Sequence, residues 1–293
     1  MTDSSTANPD QLTELVNQAR AGHAPALEQL VLALQPPTYN LALKFLWHPQ
    51  DAEDACQEIL IRIITHLDTF RSDSNVRTWA YRVAVNHLLT TKRKRIEATP
   101  MGFEAFADDL HSDLDRADSF TSEPDYALLL QEVKVGCTTA LLLNLDRDHR
   151  MAYILGEILE LDHQEAASAM ETSSATYRKR LSRARHRINA FMQEHCGLVN
   201  AKSSCHCAHR IKPAIQLGRV DRTNLIFASQ DGTQTSVGKF QEVLNTIRQL
   251  EKDRRAAALY RSHPEQLPQQ SMDVWLRKVL AVHEERPKAP TAH

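Results

Sequence analysis

The chain has 293 residues, a formal net charge of −2, 42% hydrophobic residues and 25% charged residues. That describes an ordinary water-soluble globular protein with room for two or three domains. Five unevenly spaced cysteines do not make a secreted disulfide framework, the polar, acidic start does not read as a signal peptide, and no apolar run reaches membrane-spanning length, so a cytoplasmic location is expected. With eight glycines and little strand-like alternation, the expected fold is all-α.

In chain order, residues 1–10 are expected to be disordered. From Gln11 to Trp47 two helical stretches can be drawn, with core spacing at Leu12, Leu15, Val16 and Ala19 and again at Ala26, Leu27, Leu30, Val31 and Leu34. Gly22–Pro25 breaks the pattern, and Pro36-Pro37 is expected to start or interrupt the second stretch. Asp51–Lys94 is the most informative segment. Ala52, Ala55, Cys56, Ile59, Leu60, Ile63 and Leu67 make one apolar stripe. Asp51, Glu53, Asp54, Gln57, Glu58 and Ile61 lie off that stripe and read as a partner-facing strip. A loop with Phe70, Arg71, Ser74 and Asn75 leads into a second helix carrying Arg77, Trp79, Tyr81, Arg82 and Asn86, then the run Lys92-Arg93-Lys94-Arg95. Rings interleaved with cations suit single-stranded or melted nucleic acid, because rings stack on bases while cations follow phosphates.

Residues 98–125 are acidic, with Glu104, Asp108, Asp109, Asp113, Asp115, Asp118, Glu123 and Asp125 against a single Arg116. They read as a solvated linker. A second helical domain is expected over 126–195. Its Asp162–Met170 segment is a short helix, Glu171–Ser174 is a turn whose hydroxyls can cap the next helix, and Tyr177, Leu181, Ala184, Ile188 and Phe191 form the buried face of that longer helix. The longer helix is basic on its other faces, with no acid from Thr172 through Gln193. Two short helices joined by a tight turn, the second one basic, fit helix-turn-helix logic. A run of like charge alone would be no more than a solvated face.

The last third, 196–293, opens with Cys196, Cys205 and Cys207 and has His195, His206 and His209 nearby. Two readings stay open for it. Cys196, Cys205, Cys207 and His209 supply soft ligands for a four-coordinate zinc or copper site, or the thiols are reduced cysteines in a small, mostly helical domain. A reversible thiol switch, in which one of the paired cysteines joins Cys196, is the other functional option. Beyond it, Leu225–Phe227 reads as a short strand, Phe240, Val243, Leu244, Ile247, Leu250 and Ala257 as a long amphipathic helix, and Met272, Trp275, Leu276, Val279 and Leu280 as another. His263 and His283 read as surface residues.

The pattern D-A-E-D…Q-E followed by F-R-x-D-S-x-x-R-T-W-x-Y-R-V-A-x-N resembles region 2 of the extracytoplasmic-function (ECF) group of sigma-70 factors. The pattern A-T-Y-R-K-R-L-S-R-A-R-H-R resembles the region 4 of that family. The sequence departs from the family pattern at Val76, Tyr177 and Lys179. The resemblance implies two helical sigma domains, region 2 over 11–97 and region 4 over 126–195, joined by the acidic linker; the extension 196–293 is absent from the minimal family pattern, and its size and cysteines point to a regulatory role in cis. It implies that Asp51–Leu67 docks on core RNA polymerase, that Phe70–Asn75, Arg77, Trp79, Arg82, Asn86 and Arg93 hold the melted −10 element of promoter DNA, and that Ser174, Thr176, Arg178, Lys179 and Arg183 face the −35 element. Arg185 and Arg187 would meet phosphate or solvent. No catalytic residue is expected and no cofactor is required. A separate anti-sigma protein stays open as a partner. The alternative is a stand-alone helix-turn-helix regulator with a metal-sensing tail. An enzyme using Cys207 and His209 would lack a group to orient that pair.

Overall fold

The computed structural model describes residues 8–71, 75–91, 102–112, 122–228 and 245–268. Among these the regular structure is helical, apart from an isolated bridge between Cys196 and Cys205. It divides into two compact bodies, one built from residues up to Leu43, Gln50–Thr90 and the chain from Glu265, the other from Lys44–Pro49 and Thr91–Pro264.

In the first body, α1 (Pro9–Arg20) starts at a proline, where the missing N–H is no loss, and Asn8 caps it by accepting from Asp10 N. Pro9 and Asp10 are therefore helical, while residues 1–7 lie outside the described chain. Gly22, at φ +88°, turns the chain into α2 (Ala24–Leu46). Pro36 and Pro37 neither start nor stop α2, which runs straight through them. Prolines inside a helix cost roughly 3 kcal/mol. Here Leu34, Gln35, Thr38, Tyr39 and Leu41 are all buried around them, so packing outweighs the lost donors. α3 (Pro49–Thr65) buries Ala52, Ala55, Cys56, Ile59, Leu60 and Ile63, the stripe expected from spacing. A 3-10 turn, Leu67–Thr69, leads towards α4 (Val76–Thr90), which buries Val76, Ala80, Ala84, Val85 and Leu88. Each fully buried leucine or isoleucine here contributes about 1.5–3 kcal/mol relative to exposure.

The second body departs further from expectation. Within the acidic stretch, α5 (Gly102–His111) turns Phe106 and Leu110 inwards. Its Asp109 accepts from both Arg210 and Arg219, at 3.3 and 2.6 Å. The acid that read as solvated charge is thus a structural anchor, and guanidinium hydrogen bonds hold its carboxyl below the usual range. Next come α6 (Tyr126–Leu142), α7 (Arg147–Tyr153), a π-helical turn Ile154–Ile158, α8 (His163–Ala169) and α9 (Ser174–His195). Arg150 is 3% exposed and donates to the carbonyls of Phe45, Leu142 and Leu145, which locks the α6–α7 connection with fixed donor geometry.

From α9 to Pro264 the chain stays in the same compact body. α10 (Cys207–Gln216) packs on α6 through a cluster of Leu129, Val133, Ile211, Ala214 and Val220. The expected strand at Leu225–Phe227 does not form. The backbone N–H groups of Ile226, Phe227 and Ala228 instead donate to the carboxylate of Glu132, at 2.6–2.9 Å, so those donors are satisfied without a partner strand. The long helix expected through Leu250 to Ala257 is broken at Glu251, whose extended backbone (φ −55°, ψ 144°) starts α11 (Lys252–Arg261). Its upstream positions Phe240, Val243 and Leu244 lie outside the described residues, as do Met272–Leu280 and His283. His263 is half-buried and not a free surface group. Its Nε2 sits 3.1 Å from Thr138 Oγ1, its ring packs on Tyr260, and burial holds its pKa well below 6.5.

Candidate nucleic-acid and partner interfaces

In the first body, α3 sets out the expected partner strip. Asp54, Glu58 and Ile61 are exposed, and Asp51 and Gln57 are half-buried. Glu53 is not part of this surface. It is 4% exposed and lies close enough to Tyr39 and Cys56 to reinforce the effect of burial, which pushes both groups up to about 12. A position one turn from Gln57 on a helical wheel proved to be interior because α2 covers that edge of α3. Glu58 Oε2 lies 3.7 Å from His87 Nε2 on α4.

The aromatic-cationic set is also divided by the fold. Phe70 is 3% exposed and packs edge-on against Trp79, while the Arg20 guanidinium stacks over the ring and donates to the carbonyls of Leu67 and Phe70. Phe70 therefore shapes the floor beneath the loop and has no open face for a base. Arg71, Asn75, Arg82 and Asn86 are exposed, and Arg77 and Trp79 are half-buried. Asn75 Oδ1 accepts from Arg77 N at 2.9 Å, which caps α4 and fixes where the helix begins. Ser74 and Arg93 lie outside the described residues.

In the second body, α8 and α9 make the helix-turn-helix. Asp162 caps α8 by accepting from Gln164 N and Glu165 N, at 2.6 and 2.9 Å. Glu171 takes the left-handed conformation in the turn, at φ +48°. Ser173 Oγ then accepts from Thr176 N at 3.1 Å and opens α9. Tyr177, Leu181, Ala184, Ile188 and Phe191 are buried, as the spacing predicts. Gly156 makes this packing possible: a Cβ there would come within 2.5 Å of Tyr177 Oη and 2.8 Å of Leu181 Cδ2. On the opposite side Thr176, Arg178, Lys179 and Arg183 are exposed and Ser174 half-buried, all in the first half of α9.

The remaining cations of α9 do structural work. Arg180 pairs with Asp148 at 2.7 Å, Arg185 with Glu157 at 2.5 Å, and Arg187 lies over the Phe103 ring at 4.8 Å. Arg185 and Arg187 remain exposed to solvent, as expected, while making these contacts. The acids that hold them sit on α7 and the π turn, elements that a pattern within α9 does not encode.

The cysteines converge in part. Cys196, Cys205 and Cys207 line one small cavity of about 30 Å³ together with Leu141, Met192 and a fourth thiol, Cys137 from α6. His209 does not line it, and its ring packs edge-on against His206. Among the described residues no group of three or more His, Cys, Asp or Glu is placed to hold a metal ion. Cys137 was missed from the sequence because it lies far upstream within an apolar helix. Burial pushes all four thiols above their ordinary value. No helix among the described residues is long and apolar enough to cross a membrane.

Two family matches fall on the segments that carry these surfaces. Sigma-70 region 2 matches residues 30–96, and sigma-70 region 4 matches residues 136–188. The RNA polymerase sigma-H factor of Pseudomonas aeruginosa is 30% identical over 189 residues, covering 63% of this chain and 95% of the relative. The ECF RNA polymerase sigma-E factor of Escherichia coli strain K12 is 30% identical over 190 residues, covering 63% of this chain and 96% of the relative. The sigma-E factor of Salmonella typhimurium strain LT2 matches to the same extent.

Proposed function

The chain belongs to the sigma-70 family in its extracytoplasmic-function type, and from that premise we propose how its own surfaces bind core RNA polymerase and direct it to promoters. The exposed acids and amides of α3, with Ile61 among them, dock on the polymerase. Trp79, Arg82, Asn86 and the exposed loop residues Arg71 and Asn75 hold the melted −10 strand, where stacking on rings and cation contacts offset the cost of unstacking a base. The exposed first half of α9 enters the major groove of the −35 element, with Arg178, Lys179 and Arg183 presented to base edges and phosphates.

The observation that carries this reading is the division of labour among the cations of α9. Arg178, Lys179 and Arg183 at its start are exposed, while Arg180 and Arg185 pair with Asp148 and Glu157 and Arg187, itself exposed, lies over the Phe103 ring. A helix that presents cations at its start and pairs two of its later arginines with acids is suited to end-on entry into a groove. A stand-alone helix-turn-helix regulator needs no region 2, so the paired match of regions 2 and 4 favours the polymerase subunit. The protein works in the cytoplasm alongside polymerase and has no catalytic step of its own. Residues beyond 188 fall outside both family matches, and they regulate the sigma domains in cis. The test is promoter-specific initiation by core polymerase supplied with the purified chain. Initiation that requires the chain supports the reading. Tight duplex binding without any polymerase-dependent initiation would return the assignment to the stand-alone regulator.

A further inference from the structure

The junction between α9 and the C-terminal extension is held by a pair of backbone segments in contact. Cys196 closes α9 in an extended conformation (φ −102°, ψ 116°), and it forms a parallel bridge with Cys205. Gly197 N donates to Cys205 O at 2.9 Å. The approach is so close that a Cβ on Gly197 would lie 2.5 Å from that same oxygen, so only glycine fits. Bridged strands lie about 4.8 Å apart and bridge partners point their side chains to the same side. That spacing falls inside the window of roughly 4.4–6.8 Å between Cα atoms that a disulfide requires. Both thiols also line the same cavity, and both are unoxidised here.

From this geometry we infer that Cys196 and Cys205 form a thiol–disulfide exchange site, whose substrate is a low-molecular-weight disulfide. The intervening loop is already closed. Ser203 Oγ donates to Glu194 O at 3.0 Å and Asn200 Nδ2 to Gln193 O at 2.7 Å, so joining the two sulfurs needs no large rearrangement. Cys196 is the attacking group. It is half-buried where Cys205 is buried, so it is the more accessible of the two to a small disulfide. Cys207 and Cys137 share the cavity wall, but neither is paired with Cys196 through the backbone.

The chemistry runs in two exchanges. The Cys196 thiolate attacks one sulfur of the small disulfide, that S–S bond breaks, and one small thiol leaves. The Cys205 thiolate then attacks the Cys196 sulfur of the mixed disulfide and expels the second small thiol. Two protein thiols are oxidised to one cystine, one small disulfide is reduced to two thiols, and the two protons pass from the protein thiols to the leaving groups. The product ties the last turn of the DNA-reading helix covalently to the extension.

The test treats the full-length chain with oxidised glutathione, quenches with an alkylating reagent and maps the linked peptides by mass spectrometry. The expected product is an intramolecular Cys196–Cys205 link that a dithiol reverses, persists in C207S and is lost in C205S. Circular dichroism of each variant confirms that it is folded. A link from Cys196 to Cys207 or Cys137, dimers in place of the internal link, or full alkylation after oxidant treatment would each overturn the inference. So would protein that carries one zinc per chain and releases reactive thiols only to a chelator, since the cysteines would then be metal ligands.

Discussion

Phe70 and Trp79 meet edge-on, their ring centroids 5.7 Å apart, at the point where the loop after α3 turns into α4. Phe70 is fully interior and Trp79 half-exposed, so one ring supports and the other can meet a base. Phe70→Ala is expected to lower stability by about 3–5 kcal/mol, the range for truncating a buried aromatic. Trp79→Ala removes a stacking platform worth roughly 1–3 kcal/mol per base. The two are separated by measuring thermal unfolding alongside binding to a −10 single strand. Equal unfolding losses, with strand binding unchanged in Trp79→Ala, would contradict this assignment.

The cations of α9 divide into two classes with different readouts. Arg178→Ala and Lys179→Ala are each expected to weaken −35 duplex binding by about 1–3 kcal/mol and to reduce its salt dependence, with little change in stability. Arg185→Ala, which strips the partner from Glu157, leaves the sequence preference intact. Fluorescence anisotropy across a salt series checks both. A flat salt dependence in wild type would show that α9 does not approach phosphate.

Gly156→Ala places a methyl group against Tyr177 and Leu181. Overpacking of this kind costs roughly 1–3 kcal/mol. Because the strain falls between the π turn and α9, duplex binding is expected to fall more than strand binding does. Thermal unfolding and the two binding assays report this together.

His263 makes stability depend on pH. Burial is the main cause of its depressed pKa, and Lys44 and Lys134 add to it. The unfolded state takes up a proton near 6.5 and the folded state does not. Stability is therefore fully present above 6.5 and is lost as pH falls below it towards the lower folded value. Denaturant unfolding from pH 8 to pH 5 should show this slope in wild type and a shallower one in His263→Gln. Identical slopes in the two proteins would place the titration elsewhere.

The legible part of the sequence was periodic and local. The stripes of α3 and α9, the Ser173 cap and the basic start of α9 all lie within single elements, where spacing alone assigns a face. The hidden part depended on distant partners. Glu53 looked like surface until α2 covered it, and Phe70 looked like a base platform until Arg20 and Trp79 closed around it. Asp109 looked like linker charge, but Arg210 and Arg219 reach it from a hundred residues downstream. Leu225–Phe227 looked like a strand, but the backbone donors of Ile226, Phe227 and Ala228 are taken by one distant carboxylate, Glu132. Cys137 carried no local signal.

Abortive initiation on a promoter library, with core RNA polymerase and the purified full-length chain, asks whether this chain selects promoters. Short transcripts are expected from a defined subset of promoters, only when the chain is present, and are expected to disappear in the Arg178→Ala, Lys179→Ala double variant. Transcripts that are indifferent to the chain, or a promoter set unchanged by the double variant, would contradict promoter selection by this chain.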